Sequence, residues 1–136
     1  MTDAQPWRID PSWGMTCWRQ AVARIVVWRA HTIGYTDLQV AHRLGVQGSY
    51  LNTLNYFART GKGSPGPAVA RIKQLADILD LPSEPLILAT LMDTKPAEAM
   101  VLLAHMPNAP EQFANLFDRS KVYFDRRAAR LLSKAR

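Results

Sequence analysis

A run of uncharged polar side chains stands between residues 47 and 56. If a helix starts near Gln47, these side chains share its outward face: Gln47, Gly48, Ser49, Asn52, Thr53, Asn55 and Tyr56. The amides of Gln and Asn can form paired hydrogen bonds with adenine, and hydroxyl groups can bond several bases. Because the face carries no charge, it favours selective hydrogen bonding over nonspecific binding to phosphates.

Cationic side chains lie close to this polar face in the sequence. Arg43 precedes it, and Arg59 and Lys62 follow it. Lys and Arg contacts to phosphates set the register of a protein on a duplex and make affinity fall with salt. Arg8 and Arg29 are weaker candidates for the same role.

The spacing of apolar residues predicts helices throughout the chain and no strand. Eight helices are expected, over residues 12–31, 36–44, 47–58, 67–79, 83–92 and 96–105, then a short one around 113–117 and a basic last one. Thr36 suits the N-cap of the second helix. The segment RTGKGSPGP, residues 59–67, must be a loop because it holds three glycines and two prolines.

The stretch TDLQVAHRLGVQGSYLNTL, residues 36–54, consists of two short apolar-periodic runs around one glycine. Ala41 allows the two helices to approach closely, and Gly45 tolerates a positive backbone angle. Val46 and Leu54 are expected to hold the second helix against the core. The outward side of that helix is then free to contact a partner.

This stretch, with the later PAVARIKQLADILDL (residues 67–81), resembles the helix-turn-helix domain of the lambda repressor/Cro-like (XRE) family. The matching positions are Thr36, Val40, Ala41, Leu44, Gly45, Val46, Tyr50, Leu51 and Leu54, then Pro67, Ile72, Leu75, Ala76, Asp77 and Leu79. The resemblance covers roughly residues 17–82. It implies an all-α protein with a five-helix, lambda repressor-like DNA-binding domain over residues 12–92. An N-terminal arm (1–11) precedes that domain and a helical C-terminal extension (93–136) follows it.

The resemblance also implies roles for individual residues. Contacts to bases in the major groove are expected from Gln47, Gly48, Ser49, Asn52 and Thr53. Contacts to phosphates are expected from Thr36, Arg43, Asn55, Tyr56, Arg59 and Lys62. Two features depart from the family. Asp37 replaces a polar neutral residue that often holds a phosphate, and the chain adds about six residues between Asn55 and Pro67, which lengthens either the recognition helix or the loop.

Two functions follow as hypotheses. The first is a sequence-specific transcriptional regulator, a repressor of a prokaryote or its phage, that binds double-stranded DNA as a homodimer. The candidate dimer surfaces are residues 86–92, residues 100–103 and the last helix. The second is a protein-binding helix-turn-helix module, antitoxin-like or sequestering another regulator, which Asp37 and the uncharged third helix support.

Charge is distributed unevenly along the 136 residues, whose net charge is +6. Residues 1–64 hold seven Lys/Arg and three Asp/Glu (+4), residues 65–118 hold three and seven (−4), and residues 119–136 hold seven and one (+6). A basic balance raises the expectation of a polyanionic partner. With 48% hydrophobic residues, the chain can also form a core.

The basic segment 119–136 allows two interpretations. It could bind phosphates or an acidic protein partner. It could also be a surface helix with a solvated basic face and one apolar stripe, formed by Val122, Ala128, Leu131 and Leu132, and this interpretation is preferred. Trp13, Trp18 and Trp28 are expected in the core or an interface, and Trp7 could insert at a partner surface.

Other function classes find little support in the sequence. The single cysteine, Cys17, cannot form an internal disulfide or a cysteine-based zinc site, which suits a reducing cytoplasm. No signal peptide is recognised, and the apolar run PLILATLM is too short to cross a bilayer. His31, His42 and His105 are too scattered for a metal site. A cytoplasmic, nucleoid-associated protein without enzymatic activity, metal or cofactor is therefore expected.

Overall fold

The computed structural model describes residues 7–63 and 66–134, and these residues form helices and no strand. The all-α class is thereby confirmed. The seven helices are α1 (Trp18–Thr32), α2 (Asp37–Leu44), α3 (Tyr50–Thr60), α4 (Val69–Leu79), α5 (Ser83–Thr94), α6 (Pro96–Ala104) and α7 (Ala109–Lys134). The parts of the expected arm, loop and basic segment at residues 1–6, 64–65 and 135–136 lie outside the described residues.

Helix α1 lies at the centre of the molecule. Ten of its fifteen residues are buried, because α3, α4, α5 and α7 all pack against it. A helix that is apolar on nearly all sides is typical of such a central position. Val22, Ile25 and Val26 have no exposed surface at all.

The first helix begins later than the sequence predicts. Residues 11–13 form a separate 3-10 turn, and α1 starts only at Trp18. Asp10 caps the turn by accepting a hydrogen bond from the Ser12 N–H at 2.9 Å. Gly14 then takes a left-handed conformation (φ +70°), which breaks the helical path.

Helix α2 and the turn that follows it have the predicted N-cap at Thr36 and the predicted positive φ at Gly45. Thr36 Oγ1 accepts a hydrogen bond from the Gln39 N–H at 3.1 Å, and Gln39 Oε1 accepts one from the Thr36 N–H at 2.8 Å. This reciprocal pair is a capping box. Gly45 ends α2 with φ +72°, and the Val46 N–H reaches back to the Ala41 carbonyl at 3.0 Å.

Helix α3 begins at Tyr50, three residues later than the predicted start near Gln47. Residues 47–49 form a turn in which the Tyr50 N–H donates to the Gln47 carbonyl at 3.0 Å. A side chain at Gly48 would bring its Cβ to 2.8 Å from Leu38 Cδ2. The turn therefore lies close against α2.

The C-terminal helices differ most from the prediction. A single 26-residue helix, α7, replaces the expected short helix and separate basic helix. Its buried stripe is Phe113, Phe117, Ser120 and Phe124, with the spacing of one helix face. The predicted stripe was wrong, since all four of its residues are exposed: Val122, Ala128, Leu131 and Leu132.

An aromatic cluster joins the segment before α1 to α7. Trp13 stacks on Phe117 with ring centroids 4.2 Å apart, and the ring centroids of Trp7 and Trp18 are also 4.2 Å apart. Phe113 meets the Trp18 ring edge-on at 5.5 Å. The expectation that Trp7 inserts at a partner surface does not agree with this packing.

The predicted division after residue 92 does not coincide with a gap in the packing. One hydrophobic core runs from Trp18 on α1 to Phe124 on α7. The proposed dimer segment 86–92 is also part of the interior, because Leu86, Leu88, Ala89 and Thr90 are buried. None of the helices described is both long and apolar enough to span a membrane.

Candidate nucleic-acid interface

The polar face predicted on α3 is exposed. Asn52, Thr53 and Tyr56 point away from the body, while the opposite side of the helix packs on α1 and α2. That buried side consists of Leu51, Leu54, Phe57 and Ala58. The preceding turn adds three more exposed residues, namely Gln47, Gly48 and Ser49. Five of the seven residues named for the outward face carry a polar side chain and are exposed: Gln47, Ser49, Asn52, Thr53 and Tyr56.

Most hydrogen-bonding groups on this face have no partner in the described part of the chain. Within residues 7–63 and 66–134, the side chains of Gln47, Ser49 and Asn52 form no hydrogen bond. Thr53 is different, because its hydroxyl donates to the Ser49 carbonyl at 3.1 Å. Its oxygen can still accept a hydrogen bond from a partner. The face can therefore both donate to and accept from a flat polar surface.

Asn55 does not fit its predicted outward role. It is half-buried, and its Oδ1 atom is buried with no hydrogen-bond partner among the described residues. The physical reason is that successive helical residues turn by about 100°. Asn55 thus follows the buried Leu54 around the helix and lies at the margin of the packed side.

The predicted phosphate-binding cations flank the polar face in the sequence. Arg43, Arg59 and Lys62 are all exposed. The Arg43 guanidinium lies 4.7 Å from the centre of the Tyr35 ring, which restrains it on the surface of α2. Residues 36–63 hold these three cations and a single carboxylate, that of Asp37. The local charge is therefore positive.

Thr36 is exposed, but its side chain has a structural task. Its hydroxyl oxygen caps α2 through the Gln39 N–H. Asp37 is half-buried in the first turn of the same helix, where the helix dipole favours a negative charge. The carboxylate that departs from the family pattern thus stabilises α2.

Three other arginines cap the C-terminal ends of helices. Arg24 Nε donates to the Ala58 carbonyl of α3 at 2.8 Å, and Arg29 Nε donates to the Leu79 carbonyl of α4 at 2.8 Å. Arg71 Nη1 lies 3.3 Å from the Leu44 carbonyl oxygen at the end of α2. Arg29 is therefore occupied within the fold and does not serve as a free phosphate contact. The sequence offers one signal for this role, since Arg24 and Arg29 interrupt the apolar pattern of α1.

A groove runs beside the polar face, between α3 and α4. It is lined by Tyr50, Thr53, Leu54, Gly66, Pro67, Ala68, Ala70, Arg71 and Gln74. The Tyr50 hydroxyl oxygen is buried and has no hydrogen-bond partner among the described residues. Burial raises the pKa of this hydroxyl, and the positive charge of Arg71 opposes the shift.

Comparisons with protein-family models, with curated proteins and with solved structures found no match to this chain. Among the residues that the structure describes, no three His, Cys, Asp or Glu side chains come together as metal ligands would. The residues of the polar face and its neighbouring cations offer amide, hydroxyl and guanidinium groups. These groups bind by hydrogen bonding and by charge.

Proposed function

We propose that this chain is a sequence-specific DNA-binding transcriptional regulator that reads the major groove with the N-terminal half of α3 and the turn before it. The observation that carries the proposal is the exposed, uncharged polar face of α3, with exposed cations before and after it in the sequence. Amide and hydroxyl groups discriminate between base edges, while Arg and Lys hold the phosphates on either side. In this assignment α1 to α5 are the five helices of a lambda repressor/Cro-like (XRE) domain.

The dimensions of α3 suit this role. Its eleven residues extend about 16 Å, and a major groove about 12 Å wide admits one α-helix. Its apolar side anchors it on α1 and α2, so the polar side can enter a groove without unfolding. Asn52, Thr53 and the turn residue Gln47 are assigned to bases. Arg43, Arg59 and Lys62 are assigned to phosphates.

Homodimerisation accompanies the proposal. One short recognition helix reads few base pairs, and two copies about 34 Å apart along the duplex multiply the specificity. Because Leu86, Leu88, Ala89 and Thr90 are buried, α6 is a better candidate surface than segment 86–92, and Val101 on α6 is 64% exposed. The regulator is proposed to be a repressor of a prokaryote or its phage.

A protein-binding module is the second candidate, and Leu38 is the observation that favours it. This leucine on α2 is 71% exposed and lies directly beside the turn at Gly48. An exposed leucine next to a polar face suits contact with another protein better than contact with phosphates. Asp37, in the same turn of α2, would also be less repelled by a protein than by DNA.

Titration of a random-sequence duplex at several salt concentrations separates the two functions. For a DNA binder, the logarithm of the association constant should fall linearly with the logarithm of salt, with a slope of about −0.9 for each phosphate contacted. Selection from a random DNA pool should then yield a palindromic consensus. No binding to any duplex at low salt would reject DNA binding in favour of the protein-binding module.

A further inference from the structure

The C-terminal end of α7 projects from the body beside the end of α3. After Phe124, which is buried, α7 continues for ten more residues, and its last seven described residues are all exposed. A cleft separates this projecting part from α3. It is lined by Arg24, Arg59, Phe124, Asp125, Arg127, Ala128 and Leu131.

We propose that this cleft binds a phosphate of the DNA duplex that α3 reads, so that α7 extends the DNA interface along the backbone. The proposal rests on the proposed function and adds a contact that the polar face alone does not supply. Arg59 of α3 and Arg127 of α7 are the two cations that would meet the phosphate. Arg24 supports them from the floor of the cleft.

The charge of the cleft suits an anion. Three guanidinium groups and one carboxylate, that of Asp125, line it. In the described part of the chain no ion pair joins this carboxylate to a cation. Residues 119–134 of α7 hold six Lys/Arg and one Asp, so their net charge is +5. Such a concentration of one sign attracts a polyanion.

The C-terminal end of a helix repels a phosphate, and Arg24 offsets that repulsion at the end of α3. The C-terminus of α3 carries the negative end of the helix dipole. Arg24 Nε donates to the Ala58 carbonyl there at 2.8 Å, and Gln20 Nε2 donates to the same oxygen at 3.2 Å. The Arg24 guanidinium also lies 4.8 Å from the centre of the Phe124 ring, which ties α3 to α7.

The cleft continues the polar face without a break. Asn52, Tyr56 and Arg59 are exposed and spaced at i, i+4 and i+7, so they form one stripe along α3. From Asn52 to Arg59 the helix rises about 10 Å. A backbone that leaves the groove at this end of α3 therefore passes Arg59 and then Arg127.

Two other occupants fit the surface less well. A second copy of the chain could cover the exposed Leu131 and Leu132, but it would bring another basic α7 against the first. An acidic protein would satisfy the charge, yet it would not need the cleft to be continuous with α3. A DNA duplex accounts for both the positive charge of the cleft and its continuity with the polar face of α3.

Arg126 and Arg127 provide a matched test. Both are on α7 and both lose one positive charge when changed to Gln, but they lie about 100° apart around the helix. Arg127 lines the cleft and Arg126 is exposed outside the set of residues that line it. Binding of a random duplex would be measured for wild type, Arg127→Gln and Arg126→Gln between 50 and 200 mM salt.

The expected result is a lower slope for Arg127→Gln only. The wild-type affinity should fall by some factor between 50 and 200 mM salt. For a variant that has lost one phosphate contact, this factor should be about threefold smaller. Arg127→Lys keeps the charge and should retain the slope. It controls for the possibility that a change at this position disturbs folding. Equal slopes for Arg127→Gln and Arg126→Gln would overturn the cleft proposal while wild-type binding still supports the regulator. Absence of wild-type binding would instead reject the regulator, and the cleft proposal with it.

Discussion

The Asp93 carboxylate closes the N-terminus of α1 although it lies 75 residues away from Trp18 in the chain. Its Oδ1 accepts a hydrogen bond from the Trp18 N–H at 3.0 Å, and its Oδ2 accepts one from the Arg19 N–H at 2.8 Å. The Arg19 Nε adds an ion pair at 3.2 Å. Cys17, at the N-cap position itself, provides no side-chain cap. A carboxylate at the end of α5 therefore provides the N-terminal cap that the residues just before α1 do not provide.

Asp93→Ala should destabilise the fold because two N–H groups of α1 lose their acceptor. We expect a loss of about 1–2 kcal/mol in the free energy of unfolding, measured by urea denaturation. Asp93→Asn keeps one acceptor oxygen and should lose less. Asp77→Ala removes an exposed carboxylate and should change stability by less than about 0.5 kcal/mol. Similar losses for the two alanine variants would contradict the capping role.

Phe117→Ala tests whether α7 is part of the common core. Phe117 is fully buried and stacks on Trp13, so its truncation should cost about 3–5 kcal/mol. The matched variant Val122→Ala alters a half-exposed side chain on the same helix and should cost far less. Both would be followed by thermal unfolding monitored by circular dichroism. If Phe117→Ala melted α7 alone and left the remaining helices intact, the common core would be disproved.

Tyr50→Phe removes a buried hydroxyl that has no partner among the described residues. Because a buried unsatisfied group is unfavourable, the variant should be as stable as wild type or more stable by about 1 kcal/mol at neutral pH.

The same variant should reveal the raised pKa of Tyr50. Burial favours the neutral hydroxyl in the folded state, so the pKa of Tyr50 lies above its ordinary value of 10.0. Ionisation in the unfolded chain therefore begins first, and wild-type stability should fall as pH rises above 10. Tyr50→Phe should lose less stability over that range in urea titrations at pH 7 and above pH 10. An identical pH dependence in both proteins would refute the desolvation of this hydroxyl.

Asn52→Ala tests the reading face of α3. The amide is exposed and makes no hydrogen bond to any residue that the structure describes, so its loss should leave stability unchanged. Binding to a selected DNA site should weaken by about 1–3 kcal/mol, while binding to random duplex should hardly change. Asn115→Ala, an exposed amide on α7, serves as the control. Equal weakening on selected and random DNA would argue against base readout by Asn52.

Local patterns were sufficient where neighbouring residues determine the structure. The capping box at Thr36, the left-handed Gly45 and the buried stripe of α4 all follow from residues within one or two helical turns. The exposed position of Asn52 follows in the same way from the helical period. The all-α class and the candidate polar face could therefore be derived from the sequence.

Only the tertiary structure decided which distant groups meet. Asp93 caps α1, Arg24 caps α3, and Phe117 of α7 packs beneath Trp13, and each of these pairs is far apart in the chain. Helical periodicity describes one element at a time, and it does not specify which helix covers which face. For the same reason the cleft between Arg59 and Arg127 exists only once α7 has crossed α1 and come to lie beside the end of α3.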